Sequence, residues 1–276
     1  MFKMDAIQKR LLAEIANLHE VPEGAYNFRA NGQLAGRNNT ANIEIVSKED
    51  GSGIDIHIKP NTVNESVHIP VVLSSSGLKE IVYNDFFVGK NSKVKYVEKH
   101  FGSGDGEGKR ILNPVTEVNL DENSEMEMEM VQIKGVDSTD RKTSAKLKAN
   151  AKLFVRERLM THGVQKAFSG YEIFLDGENS GADIVSRGVA KNKSFQKLDL
   201  KIVGNAPCHG HTECDSIIMD EGKILAVPSL EANNVEAALV HEAAIGKIAG
   251  DQLIKLMTLG LTEKEAEEQI INGFLK

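Results

Sequence analysis

Apolar positions change period twice along this chain. Ile7, Leu11, Leu12, Ile15 and Leu18 recur at helical spacing and Val21-Pro22 supplies a stop, which predicts one amphipathic helix from about residue 3 to 19. From about residue 40 to 240, apolar residues alternate with polar ones, as in Ile54-Asp55-Ile56-His57-Ile58 and Glu125-Met126-Glu127-Met128-Glu129-Met130. A period of two sends successive side chains to opposite faces of a strand. Met126, Met128 and Met130 are therefore expected to line one core-facing side, not to act as soft metal ligands. After Glu242 the period returns to helical. Ile245, Ile248, Leu253, Leu256 and Met257 form a stripe ended by Gly260, and Thr262-Glu263-Lys264-Glu265 is a capping box for a second helix carrying Ala266, Ile270 and Phe274. Such a pair has too little core of its own and must dock, on the strands or on a partner.

The strand region repeats. An Asn followed by a small residue recurs as Asn91-Ser92, Asn123-Ser124, Asn150-Ala151, Asn179-Ser180, Asn205-Ala206 and Asn233-Asn234, at spacings of 32, 27, 29, 26 and 28. Asn tolerates left-handed backbone, so a turn at this interval with a strand on either side suggests stacked coils. The expected fold is mainly β: a right-handed parallel β-helix with a short N-terminal helix and a C-terminal helical segment. An antiparallel sandwich also attracts Asn and Ser to its turns and stays open as an alternative. The absence of helical segments between strands argues against a βαβ fold. The implied division is 1–24 for the N-terminal helix, 25–242 for the β-helix core and 243–276 for the C-terminal helical segment.

Composition narrows the function classes. The chain has 276 residues, a formal charge of -7 and 26% charged residues, without the overall basicity of a nucleic-acid binder. No apolar run approaches a membrane span, and residues 1–10 lack the apolar core of a secretory signal, so a cytoplasmic protein is expected. Gly102-Ser103-Gly104-Asp105-Gly106-Glu107-Gly108 is acidic and lacks the lysine of a phosphate loop, which makes it an exposed turn. Trp is absent, which weakens any reading as a carbohydrate-binding surface. A polysaccharide-cleaving enzyme, a common use of β-helices, is disfavoured because the solenoid presents no acidic pair with a basic partner on one exposed face.

Candidate chemistry gathers in the last third, in Cys208-His209-Gly210-His211-Thr212-Glu213-Cys214 and in Val240-His241-Glu242-Ala243. Two cysteines near histidines in a reducing compartment are metal-binding, catalytic or simply buried. Cys208, His209, His211 and Cys214 do not match the two-pair spacing of a structural zinc knuckle. Counted from the turn Asn, Cys214 and Glu242 each lie nine residues on, after Asn205 and Asn233. Stacked coils would then place this thiol and carboxylate one above the other on one face, within reach of a single iron ion, with His241 and Glu213 facing the other way. A one-residue slip would reverse that facing. A small apolar role for Cys214 stays open.

The segments Glu213-Cys214-Asp215-Ser216-Ile217-Ile218, His241-Glu242-Ala243-Ala244-Ile245-Gly246-Lys247-Ile248, Asp251-Gln252-Leu253, Leu256-Met257-Thr258-Leu259-Gly260-Leu261-Thr262-Glu263-Lys264-Glu265-Ala266 and Ile271-Asn272-Gly273-Phe274 resemble the SufB/SufD family of iron–sulfur cluster assembly proteins. Weaker similarity, in Leu120-Asp121-Glu122-Asn123-Ser124 and Ile184-Val185-Ser186-Arg187-Gly188, extends it back to about residue 80. The resemblance implies a right-handed parallel β-helix and a scaffold that works with a SufC-like ABC ATPase, docked on the C-terminal helices through Ile245, Ile248, Leu253, Leu256, Met257, Leu261, Ile270 and Phe274. It implies that Cys214 accepts persulfide sulfur or ligates iron of a transient cluster, that Glu242 ligates iron and that His241 assists. Cys208, His209 and His211 are secondary candidates. SufD-type members lack this Cys and Glu, so the chain looks SufB-like. It is shorter than known SufB proteins and looks like a minimal version, expected to pair as a homodimer and to receive sulfur from a donor and serve apo iron–sulfur proteins. A SufD-like structural partner of the ATPase, carrying no cluster, is the alternative.

Overall fold

The computed structural model describes residues 24–102, 108–134 and 136–276. The helix expected at 3–19 and the centre of the glycine-rich stretch lie outside the described residues. Two antiparallel hairpins begin the described chain: β1 (Ala25–Ala30) with β2 (Gln33–Asn38), and β3 (Ile43–Ser47) with β4 (Gly53–Ile58). From there the chain alternates between two parallel sheets. One holds β5 (Val63–Leu73), β7 (Lys93–Gly102), β9 (Glu125–Lys134), β11 (Lys152–Thr161), β13 (Ser180–Ala190), β15 (Cys208–Ile218) and β17 (Ala237–Gly246) side by side. The other holds β6 (Lys79–Val88), β8 (Ile111–Leu120), β10 (Ser138–Leu147), β12 (Lys166–Leu175), β14 (Phe195–Gly204) and β16 (Lys223–Ala232), with β4 beside β6. Each coil contributes one strand to each sheet, giving a parallel β-helix of about 6 turns, as the repeat predicts.

The turns explain why these sequences coil. Asn91, Asn123, Asn150 and Asn179 all have φ near +58°, a left-handed conformation that Asn tolerates and most residues do not. Their side chains form a ladder across coils: the Asn91 amide donates to Asn61 at 3.2 Å, Asn123 to Asn91 at 3.1 Å and Asn150 to Asn123 at 3.0 Å. The small residue after each one, Ser92, Ser124, Ala151 or Ser180, is buried at the corner. Asn205 and Asn233 do not belong to this series. They open their turns, and they form a separate ladder in which Asn205 donates to Asp176 at 2.6 Å and Asn233 to Asn205 at 2.9 Å. In the coil of Asn205 the buried corner residue is Cys208, after Pro207.

Alternation fills the space between the sheets. Met126, Met128 and Met130 are fully enclosed, as their spacing predicts, along with Val155, Ile173, Ile184 and Ile202. The interior also encloses charge. Arg141 Nη2 donates to Glu98 at 3.2 Å and Nη1 to Glu157 at 3.1 Å; Tyr96 and His100 hydrogen-bond Glu98, and Ser169 and Ser186 donate to Glu157. Burial pushes the Glu98 carboxyl up, but the charges of His100 and Arg141 outweigh it and hold the pKa at about 2.

The last strand runs past residue 242, because the β15 ladder continues to Ile217 beside Gly246. Ile245 is therefore a strand residue and Ile248 a linker residue, not the start of a helical stripe. Helix α1 (Gly250–Thr258) follows and buries none of its residues. Helix α2 (Glu263–Phe274) opens with the expected capping box at Thr262 and Glu265 and packs Ile271, Phe274 and Leu275 against Met160, Val189, Ile217 and Met219 of the solenoid. No helix among the described residues is long and apolar enough to cross a membrane.

Candidate functional site

Register decides what the clustered ligands can do. On β15 the inward positions are Cys208, Gly210, Thr212 and Cys214, and the outward ones are His209, His211, Glu213 and Asp215. The β15–β17 ladder places Thr212 beside His241, Glu213 beside Glu242 and Cys214 beside Ala243. Cys214 and Glu242 therefore lie on opposite faces of the sheet, and His241, expected to face away from the thiol, shares its inward side. The expected pairing fails by one residue. Asn205–Pro207 makes a three-residue turn before β15, whereas Asn233–Glu236 makes a four-residue turn before β17, so counting from the two asparagines slips the phase.

Cys214 is completely buried, and burial, with the charges of Glu157 and Asp215, pushes its thiol up to about 11. It is held as a thiol in this coil. Its column through the sheet continues as Ser186, Glu157, Met130 and Glu98. Ser186 Oγ donates to Glu157 Oε2 at 2.7 Å, which brings the interior charge network to within one residue of the thiol. His241 Nδ1 and Thr212 Oγ1 share a hydrogen bond of 2.6 Å, and burial, with the charge of His211, holds this imidazole below its ordinary value. Strand spacing and rise put the His241 and Cys214 backbones about 8 Å apart on the inner side.

The outer face carries hard ligands. His211 Nδ1 lies 2.7 Å from Asp183, whose other oxygen accepts from Arg156; despite its burial, these two bonds hold the Asp183 carboxyl down. Glu213, beside Glu242, is pushed up by burial and then by the hydrogen bond and charge of Asp215. Cys208 lies six residues before Cys214 on one face, about 20 Å away at the strand rise, so the two thiols cannot share one ion. His209 is exposed on the outer side of β15. Among the described residues no three His, Cys, Asp or Glu side chains converge to hold a metal ion as they stand. Sequence reasoning missed Glu157, Ser186 and Arg141; their signal is polar residues at the inward phase of otherwise apolar strands.

Comparison with known proteins converges on the same region. The family model described as SUF system FeS cluster assembly, SufBD core domain, matches residues 80–223 and 204–274. A protein of Methanocaldococcus jannaschii named as an iron–sulfur cluster assembly SufBD family protein is 33% identical over 203 residues, covering 72% of this chain and 63% of its own length. One of Archaeoglobus fulgidus is 31% identical, covering 70% and 52%, and one of Galdieria sulphuraria is 29% identical, covering 67% and 88%. The chain thus spans less than two thirds of the two archaeal relatives.

Proposed function

The chain belongs to the SufBD family of iron–sulfur cluster assembly proteins, and on that premise we propose that it is a SufB-type scaffold on which a nascent cluster is built and handed to apo proteins in the cytoplasm. The observation that carries this reading is the position of Cys214, enclosed one coil from the end of the solenoid and in register beside Ser186, which donates to Glu157 of a buried charge network. In this reading Cys214 accepts sulfur from a donor protein or ligates iron. His241, on the same side of the sheet, serves as ligand or proton acceptor, and Glu242 supplies a hard iron ligand. Cluster and iron are cargo, so the chain is a scaffold and not itself an enzyme.

A SufC-like ABC ATPase is the proposed partner, docking on α1 and α2. The support is α1, which leaves Ile254, Met257 and the following Leu259 exposed while α2 anchors the segment to the solenoid. A homodimer is proposed through the edges of β16 and β17, each paired on one side only among the described residues. Anaerobic reconstitution with iron and sulfide, comparing the parent with Cys214→Ala by iron content and visible absorption, tests the reading. The parent is expected to gain a chromophore that the variant lacks, and equal occupancy would defeat the role of Cys214. The SufD-like reading, a structural partner without a cluster, draws on the complete burial of that thiol and expects no cluster on either protein.

A further inference from the structure

The terminal strand has two faces of similar composition, although its inward Ala237, Leu239 and His241 are half-buried and its outward Ala238, Val240 and Glu242 exposed. Its inward residues are Ala237, Leu239, His241, Ala243 and Ile245, and its outward ones Ala238, Val240, Glu242, Ala244 and Gly246. Each set is mostly apolar with one polar member. Register in a sheet is pinned by the contrast between a buried face and a solvated one, and a one-residue slip exchanges the two. Along β15 that contrast is strong, since its inward residues from Cys208 to Cys214 are buried; in β17 no residue is buried. Among the described residues β17 also has a single neighbouring strand in its sheet. The turn before it, Asn233–Glu236, holds one residue more than the turn of the preceding coil, and Val235 within it is fully exposed.

From this combination we infer that β17 has a second register, one residue forward, in which Glu242 lies beside Cys214 on the inner side of the sheet. Glu236 then joins the strand beside Cys208, and the turn closes over Asn233–Val235 at the three-residue length already used by Asn205–Pro207. Ala238 replaces Leu239 beside Gly210, Val240 replaces His241 beside Thr212, and Ala244 replaces Ile245 beside Ser216. Gly246 passes into the linker to α1. What opposes the shift is the seat of Ala237 and Leu239 on the core, where an added Cβ at Gly204 would meet Ala237 and one at Gly210 would meet Leu239 at 2.8 Å, the entry of Glu236 at the inward place of Ala237, and the His241–Thr212 hydrogen bond. These contacts make the second register the minor one, while the strand ladder itself re-forms after the shift. Because α1 follows directly, a partner bound to the helices biases the two registers by whatever difference in affinity it has for them. The second register deepens the proposed function, since its purpose rests on Cys214 and Glu242 serving one iron; its existence does not.

Disulfide trapping in the full chain reads register without iron. In a Cys208→Ser background, Ala243→Cys places a thiol beside Cys214 in the resting register, at a Cα separation of about 4.8 Å that a disulfide accepts. Glu242→Cys faces away and can pair only after the shift. Under copper–phenanthroline oxidation followed by mass spectrometry, Ala243→Cys is expected to bond quickly and Glu242→Cys roughly 10- to 1,000-fold more slowly, the range for a minor state at ~0.1–10%. Deleting Val235 removes the spare turn residue, so it should abolish the Glu242→Cys bond and leave the Ala243→Cys bond intact. No Glu242→Cys bond in the parent turn, or one indifferent to the deletion, overturns the second register. A cluster that assembles equally without Cys214, with trapping as expected, would instead sink the ligand reading alone.

Discussion

Glu98 shows how one residue can carry the pH response of the interior. Its carboxylate lies between Arg141, His100 and Tyr96, and its folded pKa of about 2 sits below the ordinary 4.5. A depressed acid stabilises the fold at every pH above its unfolded value, and that contribution is lost as pH falls through the folded one. Between pH 4.5 and about 2, the unfolded chain takes up the proton before the folded chain does, so stability declines with falling pH. Urea unfolding of Glu98→Gln should therefore show a shallower acid decline over that window than the parent, even though removing the charge lowers stability at neutral pH by leaving Arg141 half-paired. Equal slopes would mean that another carboxylate sets the acid limit. Such inward charges are legible in the sequence as phase violations, Glu98, Arg141 and Glu157 each standing where an apolar residue belongs. Their mutual pairing is not, because it joins residues on three different strands in two sheets.

At the level of elements, strand identity follows from alternation, and the β-helix follows from the recurrence of Asn. What the recurrence hides is that Asn occupies two different turn positions. Asn123 has φ of +58° and donates to Asn91, while Asn205 opens its turn and donates to Asp176. Both read alike in a spacing count, yet only the first kind marks a fixed distance to the next strand, and the candidate site was misphased for that reason. Left-handed backbone costs an ordinary residue roughly 1–2 kcal/mol. Asn123→Ala should lose about that much in denaturant unfolding, and Asn123→Gly considerably less. If the two variants lose the same, the amide ladder outweighs the backbone conformation. Helix α2 is legible through its capping box, and α1 through Leu253, Leu256 and Met257 ahead of Gly260. The end of β17 was not, because Ala243, Ala244 and Ile245 suit either period and only the ladder with β15 decides between them.

Across the whole molecule, the two ends of the solenoid differ. Among the described residues, antiparallel hairpins lie at the N-terminal end, where the outermost strands β2 and β3 are short and carry Arg37, Asn38 and Glu44 beside the exposed Leu34 and Val46. Among the described residues the opposite end stops at β16 and β17, full-length strands that are each paired on one side and whose Leu225, Val227, Leu230, Val240 and Ile245 are exposed. A long apolar edge invites another strand. Because the two described ends differ in this way, a head-to-tail chain of copies would have to match a long apolar edge to a short, more polar hairpin, whereas two like ends meeting about a twofold axis match and close. The outer faces reinforce a finite assembly, since Lys95 pairs with Glu129, Glu129 with Arg158, and Arg156 with Asp183 across successive coils of the same chain, leaving those charges satisfied without a neighbour. Sedimentation should therefore find a dimer without higher filaments, and Val240→Lys, which sets a charge on the outer side of the terminal strand, should shift it to monomer with strand content unchanged by circular dichroism. A monomeric parent, or a dimer indifferent to Val240→Lys, would move the interface away from this end, and with it the expectation that two copies of the Cys214 column face each other across the axis.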